Sequence, residues 1–239
     1  HTANFNDCCP SSGALTLGEI STLAYSVREN GIASNLYTES EANINIPIAK
    51  NVKIVQQTDY PFDGNIQISL FPEKSAIFPL FIRIPDWVEE ATVKVNGVPM
   101  KKLPAKNEFY KIERKWKNKD VVEILFPLSL SIVHKTELIK APQSTQDIYS
   151  VDWYALRRGP LVYALSGLIF GSEREEIIKL KDIDPESVFE QAAAPQNHNG
   201  IEYQMNILGK KPLAFVPYYR TGDRKEGIWR ITWLQNKIN

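Results

Sequence analysis

The sequence is poor in sulfur and in histidine, and it has no excess of charge of either sign. Its 239 residues include two cysteines, two methionines and three histidines. The cysteines are adjacent, at Cys8 and Cys9. Neighbouring residues close no loop and would strain a bridge, so a disulfide framework is excluded. Twenty-eight basic residues balance 28 acidic ones, for a formal net charge of zero. That argues against a nucleic-acid partner, whose binding rests on phosphate neutralisation. No apolar run approaches the ~20 residues of a membrane-crossing helix, so a soluble protein with no membrane partner is expected. The sequence has neither a repeat of fixed period nor a low-complexity tract. It opens at His1 without an initiator Met and without the basic and apolar regions of a signal peptide. It reads as starting in the middle of a longer polypeptide, and the compartment, cytoplasmic or periplasmic, stays unassigned.

What is present is a 43% hydrophobic composition, enough for one large domain or two modest ones. Leu17, Ile20, Leu23, Ala24 and Val27 recur at helical spacing. Ser11 and Ser12 offer N-caps, and Asn30-Gly31 offers a left-handed end, which predicts a helix over about Gly13 to Glu29. Cys8-Cys9-Pro10 then lies just ahead of that helix, where the dipole favours an ionised thiol. Two readings stay open for the pair: small buried apolar residues, or a metal site or reactive thiolate of which it supplies only half a tetrahedral shell.

After Gly31 the pattern changes to short runs of alternating Val, Ile, Phe and Tyr. Strands are predicted at Ile44–Ile46, Val52–Val55, Ile66–Leu70, Val93–Val95, Phe109–Ile112, Val121–Phe126, Leu161–Leu165, Leu213–Tyr218 and Ile228–Trp233. Asp63-Gly64 and Asn96-Gly97 are hairpin dipeptides. So many short strands with frequent turns predict an all-β chain of antiparallel sandwiches. Polar residues 140–147, with Pro142, read as a linker between two sandwiches. Residues 172–200 read as a long excursion with a short helix near Pro185 to Gln191.

The side chains with chemistry give no forced reading. Lys101 to Lys119 carries eight basic residues against two Glu. It could attract an acidic polysaccharide, but the alternation with Ile112 and Trp116 favours the solvated face of a hairpin. His134 and His198 have no companion at metal-ligand spacing. Trp87, Trp116, Trp153, Trp229 and Trp233 could stack on sugars, though most should serve as core. Glu19, Glu39, Glu41, Asp59 and Asp63 are candidate carboxylates that spacing alone does not pair.

Several blocks, in order, resemble the C-terminal half of glycoside hydrolase family 127, formerly domain of unknown function 1680. They are Cys8-Cys9-Pro10, Asn35-Leu36-Tyr37, Thr58-Asp59-Tyr60-Pro61-Phe62-Asp63-Gly64, Arg83-Ile84-Pro85 with Trp87, and Val95-Asn96-Gly97. Arg114-Lys115-Trp116 with Asp120-Val121-Val122, Arg158-Gly159-Pro160-Leu161-Val162-Tyr163 and Val216-Pro217-Tyr218-Tyr219 complete the series. Phe62 stands where the family usually has Trp. Ser11, Ser12 and Leu15 replace a Pro-Asn and a later Arg, which marks a divergent branch.

The resemblance implies an architecture: residues 1–31 as the end of an (α/α)6 catalytic barrel, 32–139 as a first β-sandwich of jelly-roll type and 140–239 as a second, with a last strand that returns to the first. It implies a retaining beta-L-arabinofuranosidase-like hydrolase acting on a plant-type arabinose-containing glycan. Cys8 would be nucleophile and zinc ligand, and Cys9 a zinc ligand. A glutamate ligand, a third cysteine and the acid/base glutamate would precede His1, so this chain alone should be inactive. The resemblance leaves a homodimer open. The alternative is a non-catalytic carbohydrate-binding or scaffolding module with a relic cysteine pair.

Overall fold

The computed structural model describes residues 8–101, 105–140, 148–168, 180, 182–192, 201–206, 212–221 and 229–235. It divides into two compact units, His1–Pro127 and Leu128–Asn239.

The first unit opens with helix α1, Cys8–Leu23. Ten strands follow: β1 Tyr25–Arg28, β2 Gly31–Ser34, β3 Ser40–Ile46, β4 Lys50–Thr58, β5 Asn65–Pro72, β6 Ala76–Arg83, β7 Thr92–Val95, β8 Val98–Pro99, β9 Phe109–Trp116 and β10 Asp120–Leu125. They form a four-stranded sheet in the order β1-β2-β6-β9 and a six-stranded sheet in the order β3-β4-β5-β10-β7-β8. Only the β2–β6 pairing in these two sheets is parallel. Period-two patterning decides the faces. In β5, Ile66, Ile68 and Leu70 point inward while Asn65 and Gln67 face water. Phe78, Leu80, Ile82, Ile112 and Trp116 of the smaller sheet share one core with Ile54, Ile68, Leu70, Val122 and Ile124 of the larger. Each such side chain contributes about 1.5–3 kcal/mol on burial. The unit is a β-sandwich. Buried Gln56 joins its strands: its Nε2 donates to Thr38 O at 2.7 Å and Leu36 O at 3.2 Å, and its Oε1 accepts from Ser34 Oγ at 3.3 Å.

The predicted helix needs correcting at both ends. It starts at Cys8 and stops at Leu23, and Val27 lies in a strand. Asn30-Gly31 does not end a helix: Asn30 turns a hairpin together with Glu29, and Gly31 opens β2 opposite Arg28. Glu29 (φ 50) and Asn30 (φ 57) are both left-handed, as a two-residue type I′ loop requires. Asn96-Gly97 makes the predicted hairpin between β7 and β8 with φ 52 and 77.

The second unit holds β11 Leu130–Lys140, β12 Ile148–Arg158, β13 Leu161–Leu168, helix α2 Pro185–Val188, β14 Phe189–Ala192, β15 Glu202–Met205, β16 Leu213–Pro217, β17 Trp229–Ile231 and β18 Leu234–Gln235. The sheet runs β11-β12-β13-β16-β15-β14, with β17 on β13 and β18 on β12. Leu156, Tyr163, Leu165, Phe215 and Leu234 form its core. Gly159-Pro160 turns β12 into β13 with Gly159 at φ 54. Proline cannot take a positive φ, so only the glycine-first turn fits.

Two organisational expectations meet this unit differently. Residues 141–147 lie outside the described residues, but they do not join two sandwiches: Lys140 pairs with Ile148 and Leu130 with Arg158. The segment therefore connects neighbouring strands of one sheet, and β11 belongs to the second unit, which begins at Leu128. The helix expected near Pro185 is present but four residues long, capped by Asp184, whose carboxylate accepts from Glu186 N at 3.2 Å. All-β architecture with one leading helix describes the chain. Among the described residues no helix is long and apolar enough to cross a membrane.

Candidate functional site

Cys8, Cys9 and Pro10 are the first three residues of α1, inside its first turn rather than ahead of it. Proline is tolerated there because the first N–H groups have no acceptor within the helix. Residues 11–23 of α1 are exposed throughout, including Leu15, Leu17 and Leu23. The helix thus carries the cysteine pair at its start on an apolar body that unit one leaves uncovered.

Three of the sequence blocks meet at one end of the first sandwich. Arg83 Nε donates to Asn35 O at 2.6 Å, and Tyr37 Oη donates to Arg83 O at 2.5 Å. Tyr60 sets its ring 5.9 Å from Tyr37 and stacks on Trp87 at 6.4 Å, while Phe126 meets both Tyr37 and Trp87 edge-on. The Tyr60-Pro61 bond is cis. Burial pushes the Tyr37 phenol far above its ordinary range, opposed by the Arg83 charge, and burial raises Tyr60 in the same way. A second knot ties Asn96 to Asp120. Asn96 Nδ2 donates to Asp120 Oδ1 at 2.9 Å, Lys117 N donates to Asp120 Oδ2 at 2.9 Å, and Arg114 lies 4.0 Å from that oxygen. Both knots tie distant stretches of the first unit together.

The candidate carboxylates separate. Glu39, Asp59 and Asp63 line one cavity of about 450 Å³ with Glu123, Gln57 and Gln67. All six side chains are exposed, and Asp63 Oδ1 is committed to the backbone and side-chain N–H of Asn65 at 2.6 Å each. Glu41 pairs with Lys53 at 2.6 Å. Glu19 stays on the exposed helix. Within the basic strip 101–119, of which 102–104 lie outside the described residues, β9 has a solvated face, as the alternation predicts: Tyr110, Ile112 and Trp116 are buried, and Lys111 pairs with Glu29 and Glu113. His134 Nε2 lies 2.9 Å from Asp152 and its ring stacks on Tyr154, and His198 lies outside the described residues. Trp116 is core, its Nε1 donating to Phe78 O at 2.9 Å, and Trp87 packs against the core. Trp153 and Trp233 instead share an open cleft with Lys135 and Glu137. Sequence reading did not bring these four together, because their meeting depends on which strands pair.

Among the described residues no group of three or more His, Cys, Asp or Glu could hold a metal ion. The two thiols supply two of the four donors a structural zinc takes, so the donors of this chain fit half of that shell.

Comparison with known proteins bears on the same region. Residues 31–128 match the family "Beta-L-arabinofuranosidase, GH127 middle domain". The crystal structure of a GH127 beta-L-arabinofuranosidase from Geobacillus stearothermophilus T6 superposes with a TM-score of 0.72 and 27% identity, over 96% of this chain and 37% of that one. A protein named glycoside hydrolase gives 0.70 and 26%, over 97% and 40%. A GH127 beta-arabinofuranosidase gives 0.65 over 96% and 38%, and at 23% identity it speaks for the fold alone. The chain spans about two fifths of the length of each. No curated protein matches it by sequence. Residues 31–128 thus match a GH127 middle domain, and the chain is similar in fold to GH127 enzymes over nearly its whole length.

Proposed function

We propose that this chain is the C-terminal part of a retaining, beta-L-arabinofuranosidase-like glycoside hydrolase whose nucleophile is Cys8. One observation carries the reading: Cys8-Cys9-Pro10 opens a helix that leads within a few residues into the stretch that matches the GH127 middle domain. The uncovered apolar body of that helix supports placing it with an upstream helical barrel. The substrate is a glycan bearing beta-linked L-arabinofuranose, the sugar in the names of the relatives.

Cys8 and Cys9 would hold zinc together with a glutamate and a third cysteine that precede His1. When bound, the ion keeps a thiol ionised near neutral pH. The N-terminus of α1 adds to this, since its unpaired N–H groups and dipole favour negative charge. The Cys8 thiolate attacks the anomeric carbon, and a C–S bond forms as the C–O bond to the leaving group breaks. The leaving oxygen takes its proton from an acid outside this chain. Water, giving a proton to that same group, then displaces the sulfur as thiolate. Two displacements at one carbon retain its configuration.

The test uses the full-length parent protein and its Cys8→Ser variant, with zinc content and hydrolysis of an aryl beta-L-arabinofuranoside as readouts. Stoichiometric zinc in the wild type, with turnover falling by about 10³-fold or more in the variant, is the expected result. Equal turnover in the two proteins would sink the assignment. The 239-residue chain alone should show no appreciable turnover.

A further inference from the structure

The second unit presents one surface whose chemistry the proposed hydrolysis does not use. Lys135 on β11 sits opposite Trp153 on β12, and Trp153 sits opposite Gln235 on β18. Directly opposed residues of an antiparallel pair share a face, as do residues two apart on one strand. Lys135, Glu137 and Trp153 therefore lie in one patch, and Trp233, immediately before β18, closes its side. Lys135, Glu137, Trp153 and Trp233 line a cleft of about 290 Å³. Trp233 is 40% exposed, a high value for a side chain of this size, and Lys135 and Glu137 are also exposed.

Three further observations distinguish this patch from ordinary solvated surface. Lys135 and Glu137 enter no ion pair among the described residues, unlike Lys53, Lys106 and Lys111 of the first unit. The Trp153 indole N–H is enclosed and has no acceptor. On the same face of β12, four residues on, Arg157 Nε is likewise enclosed and unpartnered. A sheet face with two tryptophans, two charges outside any ion pair among the described residues and two enclosed donors without a partner there is built differently from the opposite face. There, His134 and Thr136 both satisfy Asp152, at 2.9 and 2.7 Å, and Tyr154 joins the core.

We propose that this cleft is a carbohydrate-binding site, taking one ring of a neutral oligosaccharide. Indole faces match the C–H faces of a sugar ring and can stack on it. The carboxylate accepts and the ammonium donates, so the pair grips two hydroxyls at once. Their charges cancel, which disfavours a strongly anionic or cationic ligand. The volume sits at the lower end for small-molecule sites, about 300 Å³, which suits a single ring with its neighbours outside. The site lies wholly on unit two, and its operation does not depend on Cys8.

The test is titration of the intact chain with neutral arabino-oligosaccharides, read by intrinsic tryptophan fluorescence and by calorimetry. Saturable binding is expected in the wild type and, undiminished, in Cys8→Ser. Trp233→Ala and Glu137→Gln should each weaken it by about tenfold. Both positions are exposed, so both variants should fold, which circular dichroism confirms, and Glu137→Gln keeps the shape of the cleft. Absence of saturable binding, or wild-type affinity in both variants, overturns the proposal. So does a change of oligomeric state in Trp233→Ala without any effect on sugar, which would assign the face to a second copy of the chain.

Discussion

The phenol of Tyr37 donates to the carbonyl oxygen of Arg83 at 2.5 Å, across 46 residues of sequence. Arg83 returns the link by donating from Nε to Asn35 O at 2.6 Å. Two blocks that the sequence presents as separate signatures, Asn35-Leu36-Tyr37 and Arg83-Ile84-Pro85, are thus one structural device.

Removing the phenolic oxygen isolates that device. Tyr37 is 5% exposed, so water cannot replace the lost donor and the Arg83 carbonyl is left unsatisfied. Tyr37→Phe should lower stability by about 1–3 kcal/mol, measured as a lower urea midpoint with an unchanged slope. Tyr25→Phe, whose hydroxyl meets Ser40 Oγ at 2.9 Å in a half-buried setting, should cost less. Equal midpoints for Tyr37→Phe and wild type would refute a structural role for the link.

The buried phenols also set a pH limit. Burial raises Tyr37, Tyr60 and Tyr25 in the first unit and Tyr163 and Tyr203 in the second above the ordinary value of 10.0. A group whose folded pKa is raised keeps its proton when the unfolded chain has lost it. Above pH ~10 the unfolded state therefore binds fewer protons than the folded state, and stability falls as pH rises. Below that value the contribution is complete. Urea midpoints should be flat with respect to these groups up to pH ~10 and decline beyond it. Tyrosinate absorbance should lag behind that of the urea-unfolded chain. Coincident absorbance curves would contradict the burial.

How much of this was legible in the sequence depends on whether a signal is local. Asn96-Gly97 needs only its own two left-handed residues, and the hairpin it predicts is formed. Asn30-Gly31 carries the same letters after a helical pattern, which predicts a helix end that is not there. What decides it is remote: Gly31 lies against Pro79 of a strand far along the chain. The polar segment at 140–147 resembled a linker because composition cannot show that Lys140 pairs with Ile148. The cysteine pair was legible through adjacency alone. The Trp153–Trp233 cleft was not, since β11, β12 and β18 meet only in the folded sheet.

Glycines give a direct contrast between packed and open backbone. A Cβ at Gly31 would stand 2.0 Å from Pro79 O, whereas one at Gly13 meets nothing within 4 Å. Gly31→Ala must push β2 away from β6, where they pair in parallel through Ile32 and Leu80. A loss of about 1–3 kcal/mol or more is expected. Gly13→Ala sits within the exposed helix α1 and should strengthen that helix by about 1 kcal/mol. Hydrogen exchange resolves the two: faster exchange across β2 and β6 in the first variant, slower exchange across α1 in the second. Unchanged exchange in β2 and β6 would contradict the close approach.

The exposed body of α1 gives the last prediction, and it bears on the proposed placement of the helix. Leu17 is 72% exposed and Leu15 64%, so neither contributes packing to the first sandwich. In the 239-residue chain, Leu17→Glu should change stability by no more than about 0.5 kcal/mol, as at other open surface sites. If α1 closes a helical barrel in the longer protein, the same leucine is buried there. The substitution then removes a core side chain and buries a carboxylate, at a cost of several kcal/mol. Thermal unfolding of both lengths with and without Leu17→Glu makes the comparison. A variant equally harmless in both would separate α1 from any barrel, and would remove the reason to seat Cys8 and Cys9 beside upstream zinc ligands.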